Sequence, residues 1–253
     1  MSATLTPTRN AHAQQVGRLT RIYSWAMLRS LTVALAVGIA VSAVLWIVMQ
    51  VFGLETGTVT ITEPDGTSTI TTVTFISWFG IPLIAAVISA FVHNIVMGSG
   101  YTRVPLATGA TRRNLTIANS VATLIGSAVL GILALAGLLL ERSLIPEDGD
   151  RVFREEWLGT SIPGAVGDIL LGTVGMVSVL FFALAVGVLF IRFHWIVGVV
   201  ALVFLLTVMP ALAERFDWGW YAWLTDFGLA QHLIMTVLGA GAYALLMRRV
   251  RVP

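Results

Sequence analysis

Six stretches of this chain, at roughly 31–52, 75–97, 118–140, 166–191, 195–212 and 227–247, are almost wholly apolar, and Asp168 is the only acidic residue or arginine within them. A helix needs about 20 such residues to cross the hydrocarbon layer of a bilayer. Backbone groups facing lipid find no water to bond, so each crossing must satisfy its own N–H and C=O groups, which a helix does. The expected fold class is therefore all-α: a polytopic membrane protein with six transmembrane helices. Ala40-Val41-Ser42-Ala43 only weakly imitates a signal-peptide cleavage site, so the first run is read as a retained span.

Charge orients the spans, because arginine is retained on the cytoplasmic side. The segments before the first span, between the second and third, between the fourth and fifth, and after the sixth carry eleven Arg and no acidic residue. The alternate segments carry all thirteen acidic residues, counting Asp168 at a span edge, with only Arg142, Arg151, Arg154 and Arg215. Both termini are thus expected in the cytoplasm.

Composition also removes whole classes of chemistry. All fifteen basic residues are Arg. Without lysine there is neither a Walker A phosphate loop nor a Schiff-base mechanism. Without cysteine there is no disulfide framework and no thiolate metal site. No catalytic, cofactor or metal site is expected, and no nucleic-acid partner.

Ahead of the first span, Val16, Leu19, Ile22, Tyr23 and Ala26 share one helical face, and Arg18, Arg21 and Arg29 lie on the other. This pattern predicts a helix in the inner membrane interface before the chain turns into the bilayer, with a simple extension of the first span as the alternative. The domain reading is then a cytoplasmic tail and interfacial helix (1–30), a six-span domain (31–247) and a short cytoplasmic tail (248–253).

On the outer side, "TVTITEPDGTSTITTVTF" alternates Thr with Val or Ile around Pro64-Asp65-Gly66, a hairpin signature. The segment 141–165 carries Glu141, Glu147, Asp148, Asp150, Glu155 and Glu156, read as a solvated acidic face. Trp218, Trp220, Tyr221 and Trp223 fall within six residues. They suit either an interfacial aromatic belt or a short element closing the outer end of a translocation path.

Inside the spans, His93 and His232 lie near span ends, where interfacial water is in reach. No buried carboxylate suggests a proton- or sodium-coupled carrier. Ser120, Thr123, Ser127, Gly131 and Ala134 recur at spacings of three or four, and Gly172 with Gly175 and Ala183 with Gly187 add similar pairs, all suited to close helix packing.

The inner connection between the second and third spans is the most informative segment. It holds "GSGYTRVPLATGATRRNLTIANS" (98–120), an expected connection of about 20 residues where a passive link is usually shorter. Thr111 is a plausible cap for the helix that follows. The arginines mark the inner side. The mixture of Val104, Leu106 and Ala107 with polar residues suits an element pressed against a cytoplasmic protein.

The six spans, the helix before them, the inner segment with "ATGATRRNLTIANS" and the aromatic outer segment together resemble a bacterial type-2 ABC transporter permease. The likeness covers nearly the whole chain, and the Gly109-to-Arg113 turn is its most specific part. The resemblance implies a coupling helix at about Ser99 to Thr108, completed by Gly109 to Asn114, that docks on a separate ABC ATPase subunit. It implies docking residues Tyr101, Arg103, Leu106, Thr108, Gly109, Thr111, Arg112 and Arg113, and an outer gate of Trp218, Trp220, Tyr221 and Trp223. ATP would be used by the partner subunit and not bound by this chain. A second permease copy, or a similar permease, would complete the path in the bacterial cell membrane, among its lipids.

Two rivals are weighed. Glu155-Glu156 and His194 faintly resemble CAAX-type intramembrane proteases, but Thr160 stands where that pattern needs Arg, and the two parts lie on opposite sides. A non-catalytic immunity or accessory membrane protein would show the same packing and arginine bias.

Overall fold

The computed structural model describes residues 9–52, 57–62, 68–73, 79–107, 109–144, 162–193, 195–216, 219 and 228–250. Five of its helices are long and apolar enough to cross a membrane, the make-up of a multi-pass membrane protein.

Helix α1 runs Arg9–Phe52 without interruption. The break expected between an interfacial helix and the first span is absent, so the extension alternative holds for the backbone. No glycine or proline stands near residue 30 to stop the helix. Tyr23, Met27 and Leu31 are buried at four-residue spacing, and Leu19 packs against the core that holds Tyr23. Ile22, expected on that face, is instead exposed, as are Arg18, Arg21 and Arg29.

Strands β1 (Gly57–Thr62) and β2 (Ser68–Val73) form the expected hairpin, antiparallel with Thr62 opposite Ser68. Among the described residues it is the one departure from helix and its connecting turns. Helix α2 (Gly80–Ala107) outruns the expected second span by ten residues, and α3 (Arg112–Leu144) begins six residues before the expected third. The connection read as about 20 residues is thus four, 108–111. Neither Gly98 nor Gly100 breaks α2, and Pro105 sits inside it, the third residue from its end, where the surrounding structure overrides their local helix-breaking tendency.

Helix α4 is Ile162–Arg192, and the turn after it is as short as expected. The fifth apolar run is helical from Trp195 to Arg215 but interrupted: α5 (Trp195–Val203), a π-helical turn (Phe204–Val208) and α6 (Met209–Arg215). Within the interruption Met209 N–H reaches back five residues to Phe204 O. Pro210, next in the chain, has no N–H and its ring crowds the preceding turn, which accounts for the loosened helix there. Helix α7 is Leu229–Arg248.

The chain divides into two compact units. One comprises residues 1–30, 89–129 and 171–253. Its core gathers Tyr23, Met97, Leu115, Leu184, Tyr243 and Met247. Residues 183–188 of α4 are buried in unbroken succession, the mark of a helix enclosed on all sides. The other unit comprises 31–88 and 130–170. There Gly38 lets α1 approach the backbone of Pro82, and Gly137 lets α3 approach the ring of Phe79.

Candidate functional site

The segment singled out by sequence is a turn between two helix ends, built from local hydrogen bonds. At the end of α2, Gly109 N–H donates to Leu106 O (3.3 Å) and Ala110 N–H to Pro105 O (2.8 Å). This is the double bond pattern of a Schellman stop, which needs a left-handed residue; Gly109 supplies it with φ +94°. Thr111 then caps α3 as expected, its Oγ1 accepting from Asn114 N–H at 3.2 Å.

Contacts with α1 hold the turn further. Asn114 is buried, and its Nδ2 donates to Gln15 Oε1 at 2.6 Å and lies 3.2 Å from His12 Nδ1. Pro105 has no N–H for the carbonyl of Tyr101 one turn earlier. Tyr23 O–H on α1 donates to that carbonyl instead, at 3.2 Å, while the two tyrosine rings stack with centroids 6.3 Å apart.

The eight residues expected to dock separate by this geometry. Gly109, Thr111, Arg112 and Arg113 are exposed at the tip. Tyr101 is 43% exposed but engaged with Tyr23. Leu106 is partly buried and packs against the core of its unit. The Arg103 side chain, Thr108 and the four aromatics of the expected outer gate, Trp218, Trp220, Tyr221 and Trp223, lie outside the described residues, as does most of the acidic outer segment.

No family model, curated protein or solved structure matches the chain. The chemistry of the site therefore rests on its own geometry.

That geometry includes polar pairs that the sequence reading passed over. Thr123 Oγ1 donates to Asn94 Oδ1 at 2.8 Å, and Asn94 Nδ2 to Ala90 O at 2.8 Å. Asn119 Nδ2 donates to Tyr243 Oη at 2.7 Å. All four of these side chains are buried. The available signal was asparagine itself, since a buried amide in an apolar helix must find a partner. His93 is buried beside Tyr101, and the His232 ring lies over Gly175, where a Cβ would come within 2.7 Å of its Cε1.

Sequence reading also missed a convergence of arginines. Arg112, Arg192, Arg248 and Arg249 line one cavity of about 660 Å³ with Ile191 and Val250. They come from three different helix ends, so no local spacing revealed them.

The cap makes a local prediction. Thr111→Ala removes the acceptor for Asn114 N–H, worth about 1 kcal/mol, so amide exchange there should quicken about fivefold. Thr111→Ser should restore the wild-type rate. Hydrogen exchange read by mass spectrometry on the peptide covering the start of α3 checks both.

Proposed function

We propose that this chain is the membrane-spanning permease subunit of an ATP-driven exporter, and that the α2–α3 turn is where a separate ATPase subunit docks. The observation that carries the reading is the tip itself. It exposes Arg112 and Arg113, yet it is fixed by a Schellman stop, a Thr cap and the Asn114 bonds to α1. A push on a flexible loop is lost in the loop. A push on a four-residue link between two long helices moves both helices, which is how ATP-driven closure of a partner could switch the spans between inward and outward openings.

Further support comes from counts and charge. On this reading the five uninterrupted membrane-length helices together with the interrupted helical run 195–215 are six spans, and the arginine bias supports a cytoplasmic position for both termini and the tip in a bacterial cell membrane. Six spans form half of the usual path in such exporters, so a second copy or a similar permease completes it. The chain has no lysine for a phosphate loop, so its work must come from another chain. The exposed aliphatic surface of the spans faces lipid.

The test is affinity purification of the tagged protein in mild detergent, with mass identification of what accompanies it, beside an Arg112→Glu/Arg113→Glu variant. Recovery of an ATPase subunit with the wild type, reduced at least tenfold by the charge reversal, is the expected result. A protein recovered without an ATPase in both forms would sink the exporter reading and favour a non-catalytic accessory membrane protein.

A further inference from the structure

Four arginines line one cavity, and like charges gathered there favour an anion between them. Arg112 opens α3, Arg192 closes α4, and Arg248 and Arg249 close α7; all belong to the same compact unit. Residues 98–118, 188–198 and 244–253, which surround these positions in sequence, contain no Asp or Glu, and 9–30, packed in the same unit, contain none either. Among the described residues none of the four has a carboxylate partner; Arg192 lies over the Phe193 ring, 4.9 Å from its centroid. Retention of arginine on one side of a membrane explains their sign but not their convergence on a single space.

The helix ends sharpen the argument. Arg192 and Arg248 sit at helix C-termini, where the dipole favours a cation, but Arg112 sits at an N-terminus, where it is disfavoured and an anion is welcomed. An anion in the cavity would answer both the four guanidiniums and the N-terminus of α3. Arginine's planar fork matches the paired oxygens of phosphate. A volume of about 660 Å³ exceeds what a bare phosphate needs and leaves room for a glycerophosphate group with its water. The lining also lies where three membrane-length helices end, the level at which lipid headgroups are found.

We propose that this cavity is a phosphate-ester site, recognising the glycerophosphate group carried by an anionic membrane lipid or by a soluble phosphate ester. The site shares Arg112 with the proposed docking tip, but its test uses Arg192 and Arg248 and no ATPase, so it can hold whether or not the exporter reading does.

Binding to the full-length protein, delipidated in a neutral detergent, tests it. The probes are fluorescent phosphatidylglycerol, fluorescent phosphatidylcholine and glycerol 3-phosphate. Saturable binding of phosphatidylglycerol, at least tenfold tighter than phosphatidylcholine and displaced by glycerol 3-phosphate, is expected for a lipid source. Glycerol 3-phosphate binding tighter than the lipid would assign the same site to a soluble ester. Arg192→Gln/Arg248→Gln should weaken the bound probe by on the order of tenfold or more. Arg192→Lys/Arg248→Lys, which keeps the charge but not the fork, should fall between. An Arg18→Gln/Arg21→Gln variant, with the same charge removed from an exposed face of α1, should bind like wild type. Circular dichroism checks that each variant keeps its helix content. Equal binding of the two lipids with no binding of glycerol 3-phosphate, wild-type affinity in the correctly folded Gln variant, or an equal loss in the α1 control would each overturn the proposal.

Discussion

Gly187→Ala is expected to destabilise the protein by about 3 kcal/mol, the upper end of the usual cost of overpacking. A Cβ at Gly187 would collide with the carbonyl oxygen of Ile95 and come 3.0 Å from the Cα of Gly98. A Cβ at Gly98 would in turn come 2.5 Å from the carbonyl oxygen of Leu184. These obstacles are backbone, so no rotamer change relieves them, and α2 and α4 must separate along an enclosed face. Small residues permit such close approach, and in a membrane most of the association energy comes from the packing it allows. Gly172→Ala is the control, because nothing lies within 4 Å of a Cβ there. The same substitution on the same helix should then be neutral or stabilising, by up to about 1 kcal/mol from helix propensity. Thermal and denaturant unfolding in one detergent would compare them, and equal effects of the two substitutions would remove the claimed contact.

The Asn119–Tyr243 pair gives the second large effect. Tyr243→Phe should cost about 2 kcal/mol, because it deletes the acceptor for Asn119 Nδ2 and leaves the amide buried. Asn119 Oδ1 already has no hydrogen-bond partner, so this amide has no second bond to fall back on. Asn119→Leu alone should also destabilise, by stranding the Tyr243 hydroxyl. Asn119→Leu/Tyr243→Phe removes both polar groups and should recover much of either single loss. Interhelical hydrogen bonds measured in membranes tend to run below the values found in water-soluble proteins, so the sign of the coupling is the firmer test. Strict additivity of the two single changes in a double-mutant cycle would show that the bond contributes nothing.

Some readings of the inner segment survived and others did not, for different physical reasons. Thr111 as cap and the special place of Gly109 were legible because both depend on a few neighbouring residues. The length of the connection was misread because Gly98, Gly100 and Pro105 suggest a loop when taken locally. In the fold, close approach of α4 at Gly98 and the Tyr23 hydroxyl donated to Tyr101 O accommodate them within a helix. The packing of Leu106 against the core of its own unit was not legible, because an apolar residue near the tip has no evident burial in one dimension. The hairpin was legible for the same reason as the cap, since alternation and Pro64-Asp65-Gly66 are local signals.

By itself the sequence determined the class of the protein. Long uncharged runs can satisfy their backbone only as membrane-length helices, and arginine placement along the chain sets an expected orientation, both being properties of consecutive residues. The tertiary structure alone decided which side chains meet. Asn94 with Thr123, Asn119 with Tyr243, Gly98 with Gly187, and the four arginines around one cavity all join residues far apart in the chain. Such meetings depend on how helices cross, and no periodicity within a single helix encodes the face or height at which its neighbour will pass.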